Sequence, residues 1–193
     1  MYEVPEAQPT SATAAQGLVK VFVDAEGIPD RLVICDGWRD VVGSPMRLTE
    51  ALQEATRSAL GAQLSEQMER VDWGRLRSGG GIDLAGVSRS AGSGPIETAE
   101  FLYASAALLR EVMKILRSIT QTEFSSTSGK NDVVAYVSGA MRLTGVDFNS
   151  NVLSKTTPTI GRSIELALRE AFGAARTARD EAAADARGRL ARL

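Results

Sequence analysis

The sequence predicts an α+β fold made of two tandem modules, each with three antiparallel strands followed by a long helix. A strand-turn-strand pattern occurs twice, 114 positions apart, and a helix with matching apolar positions follows each occurrence. The chain has 193 residues, of which 44% are apolar, and this is enough to build a packed core.

Two stretches of the sequence each contain a strand, a tight turn and a second strand. In the first, strongly apolar residues occupy every second position over 19–23, Gly27 closes a turn, and 32–34 resume an extended apolar run. The second stretch repeats the series at 133–137, 138–140 and 143–148. A period of two predicts strands with one buried face, and a short connection that contains Gly predicts a hairpin.

A polar segment rich in Ser and Thr precedes each hairpin, at residues 8–14 and 121–128. β-Branched and small polar residues suit a half-exposed strand, so each copy is predicted to be a three-stranded antiparallel meander. In the second copy a helix is predicted ahead of the meander, at 95–119, with Pro95 near its start. The first copy has too few residues before its first strand for such a helix.

A long helix follows each hairpin, and the two helices share their apolar positions at a displacement of 112 residues. These positions recur at i, i+4, i+7, i+11 and i+12, which is one face of an α-helix. The matched pairs are Leu48 with Ile160, Leu52 with Ile164, Ala55 with Ala167, Ala59 with Ala171, and Leu60 with Phe172.

The repeat predicts the domain organisation. The first module covers 8–73 and lacks a leading helix, 74–94 form a flexible linker rich in Gly and Ser, and the second module covers 95–193 with an extended C-terminal helix. The linker glycines could be read as a phosphate-binding loop. They lack the preceding strand and the following Lys-Ser/Thr pair of such a loop, so a linker is predicted.

The composition excludes most catalytic and metal chemistry. The chain has no histidine and one cysteine, Cys35, so triads that contain histidine and zinc sites built from thiolates are absent. Cys35 follows an apolar strand and is expected to be a small buried hydrophobe. Asp36 and Asp40 flank Trp38 in a predicted loop and are expected to have turn and surface roles. We therefore predict no enzyme activity, no cofactor and no metal.

The sequence carries no sign of export or of membrane insertion. Residues 1–10 have neither the basic nor the apolar region of a signal peptide, and no run approaches 18 apolar residues. We expect a soluble cytoplasmic protein.

Charge is distributed unevenly although the net charge is only −2. Residues 1–71 carry 6 basic and 11 acidic side chains, and residues 95–193 carry 13 basic and 11 acidic ones. A small net charge argues mildly against nucleic-acid binding by the whole molecule, and the distribution points to the second half as the better candidate.

The C-terminal helix contains the candidate nucleic-acid-binding residues Arg162, Arg169, Arg176 and Arg179. The first three are spaced by seven residues, so they form a stripe along one side that could follow DNA phosphates. The alternative is a solvated helix stabilised by ion pairs between residues four apart. The candidate pairs are Glu165 with Arg169, Arg176 with Asp180, and Asp185 with Arg189.

The aromatic residues Trp38, Trp73, Tyr103 and Tyr136 allow two interpretations. They could stack on unpaired bases, as in proteins that bind single strands. Packing in a core or an interface is the stronger expectation, because aromatic residues make up only 5% of the chain and lack interleaved Lys or Arg.

Apolar and glycine positions carry a family resemblance. In the first copy they are Gly17–Val19, Val21, Val23, Gly27, Leu32–Ile34, Leu52, Ala55 and Ala59. In the second copy they are Val133, Ala135, Val137, Gly139, Val146, Phe148, Ile164, Ala167 and Ala171. With a leading helix and a long Ala-rich terminal helix, this pattern resembles the YbaB/EbfC family of small bacterial nucleoid-associated proteins, over most of 8–70 and 95–185.

The resemblance implies tandem αβββα modules that pair as a pseudo-dimer, each covering an apolar face that the other leaves open. It also implies a nonenzymatic protein of the nucleoid that binds double-stranded DNA without sequence preference, with homodimers possible. The notable departure from the pattern is the missing leading helix of the first copy.

A different class of function stays open, that of a protein-interaction scaffold without DNA binding. Such folds are also similar to accessory proteins of actinobacterial type VII secretion, and the Ala- and Arg-rich composition fits a high-GC actinobacterium. In this interpretation the acidic first module and the amphipathic helix at 95–119 present surfaces to a protein partner.

Overall fold

The structure is a computed structural model that describes residues 7–70, 95–128, 131–152 and 154–190. It does not describe the side chains of residues 95–105, 108 and 190. The predicted linker, Trp73 and the side chain of Tyr103 therefore lie outside the described residues. We call 7–70 the first half and 95–190 the second half.

The first half contains three strands, two α-helices and a 3-10 helix at Ala15–Gly17 between the first two strands. Their bounds are β1 Thr10–Ala14, β2 Val19–Val23, β3 Pro29–Ile34, α1 Trp38–Val42 and α2 Pro45–Arg70. The second half begins with a helix and ends with the longest one. Its elements are α3 Pro95–Gln121, β4 Glu123–Thr127, β5 Val133–Ser138, β6 Arg142–Phe148 and α4 Thr157–Leu190.

The strands form two antiparallel sheets of three strands each, in the orders β1-β2-β3 and β4-β5-β6. This confirms the α+β class and the two predicted meanders. The register of each central strand shifts once, between Phe22 and Val23 in one sheet and between Tyr136 and Val137 in the other. These two irregularities are 114 residues apart, which is the displacement of the sequence repeat.

Local signals account for the hairpin turn of the first half and for the start of α2. The Asp24 carboxylate accepts hydrogen bonds from the backbone N–H groups of Glu26 and Ile28, and Gly27 adopts a φ of +77° that favours glycine. The backbone N–H of Arg47 donates to the hydroxyl of Ser44 directly before α2, which starts at Pro45.

Each sheet buries one face against the long helices. The alternate residues of the central strands and the predicted helix faces have almost no exposed surface, and they form one continuous apolar core. The fully buried positions include Val19, Val21, Val133, Ala135, Val137, Leu48, Leu52, Ala55, Ala59, Ile160, Ile164, Ala167, Ala171 and Phe172. The predicted helix faces are therefore confirmed, with Leu60 half-buried at their edge.

Each long helix packs against its own sheet and against the third strand of the other half. Helix α2 contacts β1, β2 and β6, whereas α4 contacts β4, β5 and β3. A hydrogen bond links each of these helices to the third strand of the other half. Gln53 of α2 donates to the Thr144 carbonyl of β6 over 2.8 Å, and Glu165 of α4 accepts from the Leu32 N–H of β3 over 3.1 Å. Gln53 and Glu165 are matched positions of the sequence repeat, 112 residues apart.

Helix α3 precedes the sheet of the second half. It packs along α4, where Arg189 forms ion pairs with Asp185 at 3.0 Å and with Glu111 of α3 at 2.6 Å. The hydrogen bond to Asp185, with the charges of both carboxylates, raises the pKa of Arg189. The end of α3 lies so close to Gly139 that a Cβ at that position would be 2.0 Å from the carbonyl oxygen of Ile119.

Two local expectations are wrong. Cys35 is exposed, because it lies just past the end of β3 and not within the buried strand pattern. The segment around Trp38 is a short helix and not a loop, with Gly37 and Gly43 in the left-handed conformation at its two ends. Asp36 and Asp40 are exposed there, in agreement with the surface roles expected for them.

Replacement of Gly139 by Ala is expected to lower the free energy of unfolding by about 2 kcal/mol or more, because the new Cβ meets backbone that cannot rotate away. Gly173→Ala in α4 is the control, since a Cβ there has open space and should raise stability by about 0.5–1 kcal/mol. Urea unfolding followed by circular dichroism measures both. Equal stability of the two variants would contradict the close packing of α3 on the β5–β6 turn.

Candidate nucleic-acid interface

A groove of about 770 Å³ runs between α2 and α4, above the two hairpin turns. We call it the inter-helix groove. Helix α2 contributes Arg57 and Leu64, the β5–β6 hairpin contributes Arg142, and α4 contributes Arg179 and Arg187. The groove is therefore built from both halves of the chain, and its volume lies in the range of ligand sites in proteins.

The side chains of four arginines of this groove form no hydrogen bond or ion pair with the described part of the chain. They are Arg57, Arg142, Arg179 and Arg187, and all four are exposed. A guanidinium group keeps its charge at every physiological pH and presents five N–H donors. Four such groups at one groove make a region of positive potential that is suited to an anionic partner.

The carboxylates that line the groove belong to Glu26 and Asp180, and both are paired with Arg176. The side chain of Arg176 lies 3.8 Å from Glu26 and 3.5 Å from Asp180, and it also donates to the carbonyl oxygen of Glu26. Arg176 offsets one of these two negative charges. The five arginines and two carboxylates among the described lining residues leave the groove with a net charge of +3.

The four arginines predicted from the sequence have different surroundings. Arg162 is exposed and lies outside the groove, and Arg179 lines the groove. Arg169 donates to the carbonyl oxygen of Asp30 in β3 and pairs with Glu165 at 3.7 Å. The ion pairs predicted four residues apart are confirmed: Glu165 with Arg169, Arg176 with Asp180, and Asp185 with Arg189.

Arg176 and Arg179 of the groove are among the binding residues predicted from the sequence, whereas Arg57 and Arg142 are not. Arg57 and Arg142 belong to elements that are distant in the chain, and only the packing of the two halves brings them together. A partial signal exists in α4, where Arg176, Asp180, Ala183 and Arg187 follow at i, i+4, i+7 and i+11 and so share one face.

Of the four aromatic residues considered as base-stacking candidates, the structure describes the side chains of Trp38 and Tyr136, and neither forms an open stacking platform. Trp38 is buried, with 3% of its surface exposed, so the expectation of packing is confirmed for it. Tyr136 is half-buried and donates to the Asp147 carboxylate over 3.0 Å. This hydrogen bond, followed by partial burial, raises the pKa of Tyr136.

Metal-ligating clusters and membrane-spanning helices are both absent from the described residues, 7–70 and 95–190 with their gaps. There is no group of three or more metal-ligating side chains placed to bind an ion. No helix in this part of the chain combines the length and the apolar character that a membrane crossing requires.

Comparisons with known proteins give no family assignment: no protein-family model matches the chain, and no curated protein matches it. The function is therefore argued from the inter-helix groove and from the surfaces of the helices.

The contacts assign different roles to Arg176 and Arg179, which are three residues apart. Arg176→Gln is expected to lower the free energy of unfolding by about 1 kcal/mol, because it removes the bonds from α4 to the β2–β3 turn. Arg179→Gln, the matched control, is expected to change it by less than about 0.5 kcal/mol. Chemical denaturation of the two variants tests this, and equal losses would contradict the assignment.

Proposed function

We propose that the protein is a nonenzymatic, nucleoid-associated type of DNA-binding protein that binds duplex DNA without sequence preference. The observation that carries this proposal is the cluster of four groove arginines whose side chains have no hydrogen bond or ion pair within the described part of the chain. Arginine is the side chain best suited to hydrogen-bond phosphate oxygens in pairs. Contacts to the phosphate backbone supply affinity but no sequence information, so binding of this kind is nonspecific.

The size of the groove limits how DNA could lie on it. A cavity of about 770 Å³ cannot enclose a duplex, so in our proposal the sugar-phosphate backbone crosses its mouth. Helix α4 has 34 residues and is about 50 Å long, and duplex DNA carries one charge per about 1.7 Å of its axis. Phosphates spaced in this way would meet Arg179 and Arg187 from α4, and Arg57 and Arg142 from across the groove.

The tandem organisation is part of the same proposal. We infer that the halves are two αβββα modules, the first without its leading helix, that pair as a pseudo-dimer like that implied by the YbaB/EbfC resemblance. Three features support this: the common strand order, the register shifts 114 residues apart, and the crossing of each long helix onto the third strand of the other half. A two-fold arrangement would bring corresponding faces of α2 and α4 to one groove.

A protein-interaction scaffold is the second candidate, and one observation favours it. Helix α3 exposes Leu109, Met113 and Leu116, although most helices of globular proteins bury such a row. This surface lies on a different helix from the groove arginines. The two functions can therefore be tested separately.

We expect the protein to bind a labelled 30-base-pair duplex at micromolar concentration in 50 mM salt, with affinity that falls steeply toward 200 mM. Each lost phosphate contact should reduce the slope of log K against log salt by about 0.9. The variant Arg142→Gln/Arg179→Gln is therefore expected to reduce it by about 2. Fluorescence anisotropy at four salt concentrations measures the slope.

The matched control is Arg110→Gln/Arg117→Gln, which removes the same charge from exposed positions of α3. The salt slope of this control variant should equal that of the unchanged protein. The affinity of the unchanged protein for a duplex of unrelated sequence should agree within about twofold, because phosphate contacts carry no sequence information. Absence of binding at 50 mM salt would refute DNA binding. Equal losses in the two double variants would show that net charge, and not the groove, determines affinity.

A further inference from the structure

Helix α3 has a wider apolar surface than its contact with α4 covers. Val112 is 7% exposed on the side that packs against the rest of the molecule, and Ile115 and Ile119 are half-buried. Leu109, Met113 and Leu116 follow at i, i+4 and i+7 on an adjoining side and remain 53%, 58% and 36% exposed. We call these three residues the outer row of α3.

A basic row runs beside the outer row. Arg110, Lys114 and Arg117 also follow at i, i+4 and i+7, about one quarter of a turn further around the helix, and all three are exposed. Within the described part of the chain none of them pairs with a carboxylate; Arg110 donates to the carbonyl of Ala106 in its own helix. Glu111 points away from this row, toward Arg189 of α4.

Because an apolar row and a basic row lie side by side, a partner must present apolar groups and negative charges that are also side by side. A second α3, packed by its own outer row, would bring two basic rows close together, and like charges at that distance repel. A duplex would meet the basic row but would leave leucine and methionine against phosphate. An amphipathic helix with an apolar stripe and flanking carboxylates matches both rows over the same two turns.

We propose that the outer row and the basic row of α3 bind an acidic amphipathic helix of another protein. Leucine-like side chains of that helix cover Leu109, Met113 and Leu116, and its carboxylates lie opposite Arg110, Lys114 and Arg117. This site does not depend on the DNA-binding proposal, because none of the α3 residues whose side chains are described lines the inter-helix groove.

The probes are two synthetic helical peptides of 18 residues with Leu at i, i+3, i+4 and i+7. One peptide has Glu at the flanking positions and its twin has Lys. Fluorescence anisotropy with the full chain measures their affinities at 50 and 300 mM salt. The protein variants are Met113→Glu in the outer row, Lys114→Glu/Arg117→Glu in the basic row, and Arg179→Gln in the groove as the control.

The acidic peptide is expected to bind at least tenfold more tightly than its basic twin. Met113→Glu should weaken it at least tenfold at both salt concentrations, because it places a charge in the apolar contact. Lys114→Glu/Arg117→Glu should weaken it tenfold in 50 mM salt and less in 300 mM salt. Arg179→Gln should leave it unchanged. These positions are exposed, so circular dichroism should show the variants folded.

Several results would overturn the proposal. Equal affinities for the two peptides, or an affinity that Met113→Glu does not change, would contradict the proposal that the partner is an acidic amphipathic helix. Sedimentation that shows a dimer lost in Met113→Glu would assign the outer row to a second copy of this chain. Retention on vesicles of phosphatidylglycerol and phosphatidylcholine, lost in the same variant, would assign it to a membrane surface. A negative DNA titration would leave the peptide result standing, and the reverse also holds.

Discussion

The architecture depends on one constraint: each small sheet has an apolar face that a single helix does not cover. A three-stranded sheet is about 14 Å wide, whereas a helix with its side chains is about 10 Å across. Helix α2 covers β1 and β2, and α4 covers β4 and β5. The remaining strands, β3 and β6, are each covered by the helix of the other half. The second half alone could not bury Leu143 and Val146 of β6 as completely, because α2 of the first half covers that strand.

The packing of each long helix on the other half also determines which charged residues are available to bind a partner. Helix α4 reaches the first half through Arg169 and Arg176, which donate to carbonyl groups of Asp30 and Glu26. A guanidinium that satisfies backbone acceptors at this junction stabilises the fold and has fewer donors left for a ligand. Arg179 lies on the same helix and lines the inter-helix groove, and its side chain meets no such acceptor among the described residues.

The sequence was sufficient to predict elements whose signals are local. Alternating apolar residues predicted β2 and β5, and apolar residues at helical spacing predicted the buried faces of α2 and α4. The sequence repeat predicted two similar units. The sequence could not predict which strand each helix covers, because packing between halves depends on side chains more than a hundred positions apart. For the same reason the seven-residue spacing of Arg162, Arg169 and Arg176 could not distinguish structural arginines from free ones. The prediction of a buried Cys35 is wrong because the apolar pattern does not specify where β3 ends, and the strand stops one residue earlier, at Ile34.

The positions of the charged residues say more about a possible partner than the net charge of the chain does. With 24 acidic residues against 22 basic ones, the chain has enough carboxylates to pair every arginine. At the inter-helix groove, however, Glu26 and Asp180 both pair with Arg176, and the side chains of Arg57, Arg142, Arg179 and Arg187 have no partner among the described residues. Like charges held close together repel, which opposes the packing of α2 near α4 until an anion balances them. An anionic ligand at the groove would therefore add stability as well as occupy a site, since binding to the folded state alone favours that state.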